Sequence, residues 1–233
     1  MILITTFYIP NNDVREKEIN ECLQKNCDNH LIHKIFLLND KIYQLPINNG
    51  KIQQIVISNS SNYKLRFDDA INFINNSKDC NGQICILSNS DIYFNETLSL
   101  IDYNNMTNNV FGLLRYDQNE NGGINFYSKN GEPRTDSQDC WIFKSPLNID
   151  TKMLNFEFGT LGCDNVFANI IYNSGIYISN PCYSIVSIHV HSSNYRTYLN
   201  ETRLDGPYCN LVPCKLREMP AVFFTDMFSN RIN

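Results

Sequence analysis

The sharpest chemical possibilities lie in Ser88-Asn89-Ser90-Asp91, followed by the apolar Ile92-Tyr93-Phe94. Small polar side chains let a ligand approach the backbone. A lone carboxylate beside an apolar run is costly unless it is paired or holds a cation. The competing reading is an aspartate that closes a turn. A second group is Ile188-His189-Val190-His191-Ser192-Ser193, where strand alternation puts His189 and His191 on one face. Two imidazoles on one face suit a transition metal, and oxygen ligands beside them favour Mn²⁺ or Mg²⁺ over zinc. For at least one of these histidines, a hydrogen-bonded structural role is the alternative. In Gly159-Thr160-Leu161-Gly162-Cys163-Asp164-Asn165 two glycines permit a tight loop, after which Asp164 begins a helix. Asp164 is then either a helix cap or a base placed to deprotonate a hydroxyl. Ser137-Gln138-Asp139, just ahead of Trp141, reads as a pocket edge for hydroxyl-bearing ligands, with a strand-capping Asp139 as the alternative. Arg66, ahead of a helix N-terminus, and Arg196, after the histidine strand, are the cations offered to an anionic ligand. Either also serves as a solvated surface charge.

The elements that must position these groups follow from hydrophobic patterning. Apolar, β-branched runs predict strands at Ile2–Ile9, Lys34–Leu38, Ile52–Ser58, Gln83–Leu87, Asn109–Arg115, Asp139–Phe143, Gly175–Ser179 and Ser184–Val190. Helical spacing of Ile19, Cys22, Leu23 and Cys27 predicts a helix over Asp13–Cys27. Two more helices are expected over Asp68–Asn76, with Asp68 as its cap, and over Asn165–Asn173. Residues 118–135 read as a Gly- and Asn-rich loop, and the pattern from about residue 204 to 233 leaves a tail unplaced. Strand–helix alternation in the first half predicts an α/β fold with a mixed, mostly parallel central sheet flanked by helices, in one domain spanning 1–233. In such sheets ligands collect outside the carboxyl ends of the strands. Thr5 and Thr6, Asp40, Asp91, and Arg115 with Asp117 all stand at those ends.

Bulk properties exclude some functions. The net charge of −5 argues against a surface that grips nucleic acid through general electrostatics. Nine cysteines at spacings unlike zinc pairs read as small core residues in a reducing compartment. No signal-peptide pattern and no apolar run approaching 18 residues is present, so a cytoplasmic protein without a transmembrane segment is expected. Oligomeric state is not legible. The abundance of asparagine points to an AT-rich genome rather than a functional tract.

Taken in order, Ser-Asn-Ser-Asp-Ile-Tyr-Phe (88–94), Ser-Gln-Asp-Cys-Trp-Ile-Phe (137–143), Leu-Gly-Cys-Asp-Asn (161–165) and His-Val-His-Ser-Ser-Asn-Tyr-Arg-Thr-Tyr (189–198) resemble GT-A-fold glycosyltransferases. The likeness is to the small type found in chlorovirus and other giant-virus proteins and in bacterial surface-glycan enzymes. It implies transfer of a sugar from a nucleoside-diphosphate sugar, UDP-linked by family habit, to a hydroxyl of a glycan or glycoprotein. It also implies Mn²⁺ or Mg²⁺ as cofactor and, for a viral protein, location in the host cytoplasm. Asp91 matches the last carboxylate of the family's Asp-x-Asp metal motif, whose first acidic position is Asn89 here, so His189 or His191 is needed as a further metal ligand. Ser90 belongs to the same motif. Asp40, with Thr5 or Thr6, matches the nucleotide-reading position, and Arg66 a diphosphate contact. Asp164 falls near the catalytic base of inverting members and Asp139 near a sugar contact. Two alternatives remain. One is a sugar nucleotidyltransferase, disfavoured because Phe7–Asn12 carries neither glycine nor a cation. The other is a catalytically silent domain that binds nucleotide sugars or glycans.

Overall fold

The computed structural model describes residues 1–58, 63–119, 121–190 and 203–226. In chain order its strands are β1 (Ile2–Thr5), β2 (Lys34–Asn39), β3 (Ile52–Val56), β4 (Ile84–Ser88), β5 (Ile92–Phe94), β6 (Asn109–Leu113), β7 (Tyr116–Gln118) and β8 (Ile124–Phe126). They continue with β9 (Ser128–Lys129), β10 (Glu132–Pro133), β11 (Cys140–Lys144), β12 (Tyr177–Ser179), β13 (Ser187–Val190), β14 (Tyr208–Leu211) and β15 (Val222–Thr225). The α-helices are α1 (Asp13–Asp28), α2 (Phe67–Asn76) and α3 (Cys163–Asn173).

The main sheet has seven strands in the order β12-β6-β11-β4-β1-β2-β3. Pairing is parallel throughout except at β11, which runs antiparallel to both β4 and β6. This is the mixed, mostly parallel sheet with flanking helices that the sequence predicts. Strands β1, β2 and β4 are apolar at successive positions because both faces are covered. Ile2, Ile4, Phe36, Leu38, Cys85 and Leu87 face α2 and α3, whereas Leu3, Ile35, Leu37, Ile84 and Ile86 share the other core with α1.

Four expectations need correction. The predicted strands do not all join one central sheet: β13 lies in a second, four-stranded sheet ordered β5-β13-β7-β8. The segment 118–135 is not only a loop, for it contains β8, β9 and β10. The first strand stops at Thr5 rather than Ile9. At α2 the N-cap position is Arg66, and Asp68 sits in the first turn instead, where its charge favours the helix dipole. The tail is also partly ordered: β14 pairs with β15 and packs on α3. All nine cysteines are free and buried, and no helix among the described residues is long and apolar enough to cross a membrane.

Gly112 shows how the tail is seated. It pairs with Trp141 across β6 and β11, and a Cβ there would stand 2.6 Å from Trp141 and 2.9 Å from Leu211 of β14. Both neighbours are fully buried. Gly112→Ala is therefore expected to cost about 1–3 kcal/mol through overpacking, lowering the melting temperature by about 2–4 °C per kcal/mol. A thermal melt monitored by circular dichroism checks this.

Candidate active site

Strand ends place the site. The carboxyl end of β4 releases Asn89, Ser90 and Asp91, and β5 follows at once. Because β11 is antiparallel to β4, its start delivers Asp139 to the same edge, and the Asn89 backbone N–H donates to the Asp139 carbonyl at 3.1 Å. The end of β6 carries Arg115 there, and β7 adds Asp117. In the second sheet His189 pairs beside Asp117 on one side and opposite Ile92 on the other. Helix α1, packed on β5, contributes Arg15 from its first turn, where the Asn12 side chain caps the Arg15 backbone.

These groups form a line of alternating charge. Arg15 donates to Glu18 at 3.0 Å and to Asp91 Oδ2 at 2.6 Å. The same Oδ2 meets His189 Nε2 at 3.0 Å, and His189 Nδ1 meets Asp117 at 2.9 Å. Arg115 joins Asp117 at 2.9 Å to Asp139, both of whose oxygens it reaches at 3.0 Å. Asn89 Nδ2 donates to Asp139 at 3.2 Å. Burial alone would raise the Asp91 carboxyl, but His189 and Arg15 hold it well below the usual range. Burial works against a charged His189, yet Asp91 and Asp117 raise it to about 9, so the ring is an imidazolium at neutral pH.

Asp164 is the opposite case. It lies in the first turn of α3 but is not its cap; Gly162, with φ of 84°, takes the cap position. Burial, and then the Asp139 charge, push the Asp164 carboxyl up to about 8. The Gln138 backbone and the Cys163 thiol, at 3.6 Å, donate to it.

The remaining predicted residues divide into three sets. Thr5, Thr6, Asn89 and Ser90 meet around a cavity of about 10 Å³, room for about one water. Asp40 and Arg66 are engaged elsewhere, Asp40 with the Tyr43 hydroxyl at 2.8 Å and Arg66 in a two-pronged pair with Asp68 at 2.9 and 2.8 Å. His191 and Arg196 lie outside the described residues. Thr5 Oγ1, Asp91 Oδ1 and Gln138 Oε1 are buried without a hydrogen-bond partner among the described residues. Two participants were missed in the sequence. Asn39 accepts from the Phe7 backbone at 2.8 Å and so fixes the turn after β1. Arg15, the other, shares a helical face with Glu18, Ile19 and Cys22, and a charged pair on an apolar stripe was its available signal.

A divalent cation, which the resemblance implies, does not fit these described residues. Among them no three His, Cys, Asp or Glu side chains stand together as ligands would. Both ring nitrogens of His189 face carboxylate oxygens. Asp91 Oδ2, the oxygen that faces His189, already carries the Arg15 guanidinium.

No protein-family model and no curated relative matches the chain. Solved structures similar to it include the 2-C-methyl-D-erythritol 4-phosphate cytidylyltransferase of Francisella tularensis, at 14% identity and a TM-score of 0.46, over 86% of this chain and 94% of that one. TarS of S. aureus is 16% identical with a TM-score of 0.43, over 83% of this chain and 58% of its own. Similarity at this level says nothing of activity.

The Asp164 shift has a consequence for stability. A carboxyl whose folded value lies above its unfolded value of about 3.9 costs nothing while both states are protonated. Its penalty grows as pH rises from there to about 8 and is then complete. Asp164→Asn should therefore melt at nearly the wild-type temperature at pH 4 and above it at pH 8. Calorimetric melts across that range would expose a pH-independent difference, which contradicts the assignment.

Proposed function

We propose that this chain is a glycosyltransferase that moves a sugar from a nucleoside-diphosphate sugar, UDP-linked, to a hydroxyl of a glycan or glycoprotein. The observation that carries the reading is convergence. Asn89, Asp91, Asp139, Asp164 and His189, drawn from four separate segments of the chain, are brought together around the carboxyl edge of the main sheet. That is where an open α/β sheet holds its ligands. In this assignment Thr5, Thr6 and Ser90 line the nucleotide side, and Asp139 and Asp164 the side of the reacting sugar.

Asp164 is the proposed base. Its oxygen takes the proton of the acceptor hydroxyl as that oxygen bonds to the anomeric carbon, and the bond to the diphosphate oxygen breaks with its electron pair leaving on the nucleoside diphosphate. A single displacement of this kind inverts the anomeric centre. A carboxyl raised to about 8 is a stronger base than an ordinary aspartate, and its pKa lies near the working pH, where general-base catalysis is most efficient. Asp139, held by Arg115 and Asn89, acts as a positioning residue that keeps Asp164 basic. The silent-domain reading draws support from the same ion pairs, which already occupy Asp91 and His189.

Two variants test this. Asp164→Asn should still bind donor but lose about 10²–10⁴-fold in transfer rate. Transfer should rise with pH up to about 8 as Asp164 ionises, and Asp139→Asn should move that rise to lower pH by removing the neighbouring negative charge. Donor binding with no transfer by the wild type, across a panel of glycan acceptors, would instead favour the silent domain.

A further inference from the structure

We infer that the donor site of this chain works without a divalent cation, Asp91 being a structural anion neutralised inside the protein by Arg15 and His189. The inference rests on the glycosyltransferase reading and concerns its chemistry.

The argument is one of charge and valence. A cation bridging a diphosphate to the protein needs negative charge from the protein and open lone pairs to bind. Asn89 is neutral, and its amide is donated to Asp139. Asp91 is the one carboxylate of the run 88–91, and Arg15 and His189 meet its Oδ2 from two elements at 2.6 and 3.0 Å. A metal ion on that oxygen would stand against a guanidinium and beside an imidazole, with no second carboxylate from the run to offset the repulsion. His189 turns Nε2 to Asp91 and Nδ1 to Asp117, so a metal would have to displace the carboxylate from the nitrogen it needs. Among the described residues, the other acids of this network are committed as well: Asp139 places both oxygens on Arg115, and Glu18 takes Arg15. Asp91 Oδ1 has no hydrogen-bond partner among the described residues, and a metal ion there would hold a single oxygen of a carboxylate whose charge a guanidinium and an imidazolium already share. Buried carboxylates bound in this way hold elements together, and here they join α1, β5, β7 and β13.

The test uses the wild-type chain, so no variant has to fold. Uridine diphosphate and a panel of nucleotide sugars are titrated by calorimetry in EDTA and again in Mn²⁺, and Mn²⁺ alone is titrated with its free ion followed by electron paramagnetic resonance. The inference expects dissociation constants that differ by less than about twofold between the two conditions, and no stoichiometric loss of the free Mn²⁺ signal. Tightening by about tenfold or more, equivalent to about 1.4 kcal/mol, or one tightly bound Mn²⁺ per chain, overturns it while leaving the glycosyltransferase reading intact. If no nucleotide binds in either condition, that reading fails. The resonance titration then decides the metal question alone, a bound ion overturning the inference and an unchanged signal upholding it.

Discussion

A carboxylate shut away from water must be matched, and Asp91 is matched from two directions at once. Arg15 reaches it from the first turn of α1 and His189 from the middle of β13. Removing one partner of such a buried pair typically costs about 3–5 kcal/mol, because the other charge is stranded. The requirement ties together pieces that packing alone would leave adjustable. Strand β13 meets β5 with His189 opposite Ile92, next to Asp91. A slip of one residue would offer Ile188 or Val190 in its place, so the ion pair and the apolar pattern specify one register together.

From that point the electrostatics run in opposite senses across the site. Toward α1, cations surround Asp91 and keep it ionised. Arg115 stands in the middle and spends itself on Asp117 and Asp139. Beyond it, Asp164 has burial and a neighbouring carboxylate, and its proton is held to about pH 8. Two aspartates on one sheet edge are thereby given different tasks by their surroundings, the usual way in which one set of side chains supplies both a permanent charge and a titrating group.

How much of this could be read beforehand depended on distance along the chain. The central strands announced themselves, because Ile2–Thr5 and Ile84–Ser88 are covered on both faces and so carry unbroken apolar runs. The second sheet did not: β5, β7 and β8 are three residues each, too short for a period to show. Asp139, Asp164 and His189 were legible as unusual residues in strand-and-loop contexts, and Asp91 as a charge beside an apolar run. Their partners were not. Arg15 lies 76 residues from Asp91, and its place with Glu18 on the apolar face of α1 says nothing of which carboxylate it will meet. Asp68 misled for a local reason, since Arg66 binds it and the helix begins at Phe67 without a side-chain cap.

The same separations set an order of manufacture. A ribosome delivers Arg15 first, then Asp91, Asp117 and Asp139, and only 98 residues after Asp91 does it deliver His189. Until that strand arrives the small sheet lacks the member that pairs with both β5 and β7. Between the emergence of Asp91 and that of His189, a nascent chain thus carries Asp91 and Asp117 without the imidazole that joins them. Closing long loops is slow compared with local folding, so the pairing of Asp91 with His189 waits on one of the long closures of this fold.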